Sequence, residues 1–164
     1  MTLTTHAIIA TAITKPLLRS HPVFIFLVAL ASHYISDSVP HWDYALQSVT
    51  EDTDYTKRWK TRQSTLVRDL LVTASDAIFG AAASILLIQP KNKEELIWTT
   101  LVIVGSMLPD FLQGVYFISG CPAFLRPVQR FHDWAHTSIR LGRYPLLGIP
   151  FQILIAGIFV LFFV

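Results

Sequence analysis

Histidine and aspartate fall in this 164-residue chain where neither is expected, inside or beside apolar stretches. In His33-Tyr34-Ile35-Ser36-Asp37 the imidazole and the carboxylate are four residues apart, so on a helix both project from one face. His132 and His136 repeat that spacing in His132-Asp133-Trp134-Ala135-His136. His41 and Asp43 follow Pro40 in a turn that could fold back toward His33 and Asp37. His6 opens the first apolar segment, and Asp110 follows Pro109, where a break in the helix would bare its carboxylate to a cavity. Asp69 and Asp76 are seven apart and share one stripe of a helix. Neutral imidazole and carboxylate oxygen are ordinary ligands of zinc and related divalent ions. A metal-bound water loses its proton near neutral pH and becomes a hydroxide nucleophile, and a pair of ions can stabilise charge on a phosphoryl group.

Intramembrane acids are rare and are usually paired or functional. The apolar segments contain almost no lysine or arginine, so these carboxylates lack organic counter-ions. A bound cation is the economical way to neutralise them. Ten imidazoles and carboxylates exceed the four ligands of one tetrahedral site. The pattern therefore implies one to three ions, or one ion with outer partners.

The positioning elements follow from composition. Hydrophobic residues make up 52% and charged residues 15%, with a mean hydropathy of +0.49. That excludes a disordered tail and departs from soluble domains, whose charged share is about 25%. One cysteine, Cys121, excludes an internal disulfide framework. A net charge of +2 gives no reason to expect a nucleic-acid partner. The expectation is a single all-α domain over residues 1–164, an integral-membrane bundle of about four spans with short interfacial helices. A span needs about 20 apolar residues, and four segments qualify: Pro22 to Asp37, Leu70 to Ile88, Ile97 to Ile118 and Pro145 to Val164. Thr5 to Leu18 is too short and reads as a half-buried or re-entrant helix. Pro127 suits the first turn of a helix running to about Ile139. Trp59, within a basic stretch, suggests a short interfacial helix. Four spans would put Lys15, Arg19, Lys91 and Lys93 on one side and nine basic residues on the other, in a multi-pass protein of the cell membrane. The segments around Asp37 and Asp110 look faintly alike but do not align without a gap.

Thr5-His6-Ala7-Ile8-Ile9-Ala10, His33-x-x-x-Asp37 and Leu108-Pro109-Asp110 resemble the membrane-bound metal-dependent hydrolase family. That family is similar to zinc-dependent phospholipase C and the single-strand nucleases that share its all-helical fold. The likeness covers about residues 4–43, 105–112 and 130–137. It implies a zinc cluster on an early histidine, a histidine–aspartate pair one turn apart, and later histidine and acidic residues. Here those positions are His6, His33, Asp37, Asp110, His132 and His136. The soluble phospholipases close with a histidine–glutamate pair, where this chain has His132 and His136. The implied substrate is a phosphoester, often a phospholipid drawn from the membrane. In the resulting expectation Asp76 or Asp37 accepts the proton of the attacking water. His41, Asp43 and Asp69 are outer ligands or positioning groups, and Arg126, Arg130 and Arg140 hold a phosphate. A haem protein with histidine axial ligands is a poorer expectation, because it leaves Asp37, Asp76 and Asp110 unexplained. The main alternative is a non-catalytic membrane scaffold or transport component with a buried His/Asp network.

Overall fold

The computed structural model describes residues 1–48, 63–139 and 141–164. The protein is an all-α bundle: α1 (Leu3–Thr14), α2 (Pro22–Asp37), α3 (Gln63–Ile88), α4 (Lys93–Ile118), α5 (Arg126–Ala135) and α6 (Pro145–Phe163). Three helices are long and apolar enough to cross a membrane, those ending at Ile88, Ile118 and Phe163. The fourth expected span, α2, has only 16 residues and is a shorter apolar helix. The expected interfacial helix around Trp59 lies outside the described residues.

Local chemistry sets the helix starts. Thr2 caps α1, its hydroxyl accepting from the Thr5 N–H. His21 caps α2 through its ring nitrogen, and Pro22 occupies the first turn. Asn92 caps α4, with Glu94 and Glu95 at the positive end of the helix dipole. Pro127 opens α5 as expected, but the helix stops at Ala135 and His136 adopts an extended backbone. His132 and His136 therefore do not share a helical face. Pro109 does not break α4, which continues to Ile118.

The hairpins α1–α2 and α3–α4 lie side by side and in register. Hydrogen bonds between them join residues 72 or 73 apart: Thr4 to Asp76, Thr11 to Ser84, and His33 to Ser106. Thus α1 runs parallel to α3, and α2 parallel to α4. Small residues let these pairs approach closely. A side chain on Gly105 would press on the Phe26 carbonyl at 2.9 Å, and one on Gly80 would meet the Thr4 backbone at 3.0 Å. Helix α6 joins α1 through Gln152, whose amide nitrogen donates to the Thr2 and Thr5 hydroxyls at 2.8 and 2.6 Å. Ile9 and Ala156 pack beside this contact.

The short segment expected to be half-buried is instead the most enclosed helix, buried at nine of its twelve positions. At 1.5 Å per residue, α1 is about 18 Å long while α3 and α4 are about 39 Å. Its N-terminus stops halfway along α3, where Asp76 receives the Leu3 and Thr4 N–H groups at 2.7 and 3.1 Å. Beyond that point the place of a full-length helix is free for side chains, and the histidines and aspartates occupy it. At the opposite end of the bundle, Lys15, Arg19 and Lys91 surround a cavity of about 570 Å³.

Candidate metal centre

Five side chains from four helices meet at the vacant end of α1. His6 comes from α1, His33 and Asp37 from α2, Asp110 from α4 and His132 from α5. Asp37 Oδ2 lies 3.1 Å from His33 Nε2 and 3.3 Å from His132 Nε2. Asp110 Oδ1 lies 3.8 and 3.5 Å from the same two nitrogens. His6 Nε2 adds contacts of 3.1 Å to Asp37 Oδ1 and 4.0 Å to Asp110 Oδ2. Ligand atoms bonded at about 2.1 Å to one tetrahedral ion stand about 3.4 Å apart. The four atoms of His33, Asp37, Asp110 and His132 have that spacing, and the group could hold a metal ion.

The histidine tautomers point the same way. His33 Nδ1 lies 2.7 Å from the Ser106 carbonyl, which only accepts, so Nδ1 carries the hydrogen. Ser36 Oγ donates to the His33 carbonyl at 2.9 Å and therefore accepts from His6 Nδ1, also at 2.9 Å. In a neutral ring both Nε2 atoms are then lone pairs, turned toward carboxylate oxygens. His6 Nε2, His33 Nε2 and Asp37 Oδ2 are buried and make no hydrogen bond. Lone pairs converging without an intervening hydrogen repel, and a cation among them removes the repulsion. Outer partners of this type orient metal-binding histidines. Pro109 contributes to the arrangement: it offers no N–H and crowds the preceding turn of α4, next to the Ser106 carbonyl that takes His33.

The opposite side of Asp37 is different. His41, His136 and Asp43 gather there, and Asp37, His41 and His136 form a second group able to hold an ion. The α-amino nitrogen of Met1 lies among them, 2.8 Å from Asp37 Oδ1, 2.8 Å from His41 Nε2 and 3.0 Å from Asp43 Oδ1. His136 Nε2 stands 3.7 Å from Asp43 Oδ2. Burial opposes ionisation of Asp43, but the imidazoles of His136 and His41 and the Met1 ammonium outweigh it and hold the carboxyl well below its usual range. Backbone ties fix this side: the Thr137 N–H donates to the Asp37 carbonyl at 2.8 Å and the Leu141 N–H to the His41 carbonyl at 3.0 Å.

The other expected residues do not join. Asp76 is no proton acceptor for this cluster in the structure, because its carboxylate is occupied by the first N–H groups of α1. Asp69 is no outer ligand, because it accepts from the Ser48 N–H and hydroxyl and from Arg68. Arg126 and Arg130 are exposed side chains of α5 and are not among those lining the cavity beside the cluster. Arg140 lies outside the described residues. The sequence reading missed Met1, Ser36 and the Ser106 carbonyl. Ser36 was within reach of that reading, since it sits one turn after His33. A backbone carbonyl carries no such signal. No known protein family, curated protein or solved structure matches this chain.

Proposed function

We propose that the protein is a multi-pass, metal-dependent hydrolase of the cell membrane, acting on phosphoester bonds, with zinc as the ion. The observation that carries this reading is the set of unpaired Nε2 and carboxylate atoms at ligand spacing around Asp37. A divalent ion there would supply a water acidic enough to ionise near neutral pH. Around it, His33, His132 and Asp37 would fix the ion, and His6 would approach from α1. Asp110 has a side chain 24% exposed and, with Asp43, lines a cavity beside the cluster. These two carboxylates face entering water and are placed to take up its proton. The likeness of His6, His33, Asp37 and Asp110 to the membrane-bound metal-dependent hydrolases supports the same chemistry.

One contact favours a rival, a non-catalytic scaffold or transport component: the Met1 ammonium already neutralises one oxygen of Asp37. Elemental analysis of detergent-purified protein separates the two. The hydrolase reading expects stoichiometric metal, lost in the double variant His33→Ala/Asp37→Ala, and phosphodiesterase activity that chelation abolishes and zinc restores. Metal-free protein with full helicity and ordinary stability would overturn it.

A further inference from the structure

We infer that the space left by the short α1 is a binding site for a membrane amphiphile with an anionic phosphate headgroup, held head inward with one apolar chain lying between α3 and α4. The inference deepens the hydrolase reading and rests on it only for the sign of the headgroup.

The cavity measures about 290 Å³ and is two-faced. At its inner end stand Asp110, His132 and His136, and its walls carry Leu66, Leu70 and Phe117. Such polarity along a single cavity matches a molecule with one charged end and one apolar end. The volume lies at the bottom of the range for small-molecule sites, enough for a headgroup and the start of one chain. The floor is Met1 and Leu3, because α1 begins only there. The walls belong to two of the helices able to cross a membrane.

Two observations place the opening toward the bilayer. Leu70 on α3 and Ile118 on α4 both line the cavity, and they are 48% and 54% exposed. Asp110 lies eight residues before the end of α4, about 12 Å along the helix. A helix of about 39 Å exceeds a hydrocarbon core of about 30 Å by a few ångströms at each end. The cluster therefore sits just below one membrane surface, at the depth where a headgroup meets its chain. Gly114 faces the same cavity, and a Cβ built there meets nothing within 4 Å. The absence of a side chain keeps the passage clear without serving any helix contact.

The test uses the full chain in detergent, loaded with zinc, and monoacylglycerol phosphate carrying a diazirine in its acyl chain. Photolysis and peptide mapping should place adducts on Leu66, Leu70 and Phe117. Gly114→Phe should cut those adducts at least tenfold while leaving metal content and melting temperature unchanged, and Gly114→Ala should leave them near the original level. Adducts confined to outward residues such as Leu71, Ile78 and Phe111, and unaffected by Gly114→Phe, would overturn the inference even if phosphoesters are hydrolysed. Adducts in the cavity without any hydrolysis would leave this site standing and remove the hydrolase reading instead. The map on the unsubstituted protein decides the matter even if Gly114→Phe folds poorly.

Discussion

The two helical hairpins run in register but do different work. From α1–α2 come His6, His33 and Asp37, all completely or almost completely buried. From α3–α4 comes Asp110, partly exposed, while Asp76 on the same hairpin holds the N-terminus of α1. The residue on α3 at the position of His6 is Phe79, two-thirds exposed at 67%. Position 73 residues after His33 is Ser106, which offers a backbone carbonyl where the first hairpin offers an imidazole. The cause is enclosure. Helix α1 is surrounded by α2, α3, α4 and α6, so ionisable groups there are removed from lipid. Helix α3 has few neighbours and turns Leu71, Ile78 and Leu86 outward. Shared register thus leaves one hairpin as the chemical half and the other as the half facing its surroundings.

The largest expected effect tests the buried half. Asp37→Ala removes the carboxylate that His6, His33, His41, His132 and the Met1 ammonium all face. Breaking a buried charge cluster by removing one partner costs about 3–5 kcal/mol. Bound metal should fall to background in elemental analysis, with a lowered melting temperature in detergent. Retention of both would mean the first hairpin is not the chemical half.

A smaller effect comes from the outer partner. Ser36→Ala leaves His6 Nδ1 without its acceptor. Metal affinity should drop about 10–100-fold, the usual scale for such partners, with helicity unchanged. Competition against a chelator of known affinity measures it. An unaltered affinity would show that His6 does not contribute to holding the ion.

The smallest sharpens the role of the second hairpin. Asp76→Ala deletes a side-chain cap and should lower stability by about 0.5–2 kcal/mol, the range for helix N-caps. Metal stoichiometry should stay the same. A loss of metal at preserved stability would instead return Asp76 to the chemistry.

The chemical candidates were legible because the cost of placing His and Asp in apolar helices is a property of residue type. His33 with Asp37 could be read from one turn of spacing, and α2 has the bounds that Pro22 and Asp37 suggested. Spacing failed where the partner was distant in sequence. Asp69 and Asp76 share a stripe, yet Asp69 serves Ser48 and Asp76 serves Leu3 and Thr4. His132 and His136 are four apart, yet α5 ends between them and sends them to different sides of Asp37.

Sequence by itself determined the all-helical class, the long apolar helices and the presence of imidazoles and carboxylates that lipid would reject. Those follow from local hydropathy and from the backbone's need to satisfy its own hydrogen bonds. Tertiary structure alone decided which of the ten candidates meet, that α1 stops halfway along α3, and that the space beyond it contains the cluster. Such contacts join residues 30 to 110 positions apart, as between His6 and Ser36 or Trp42 and Gln152. Their geometry depends on how whole helices pack, and no local pattern of residues encodes that.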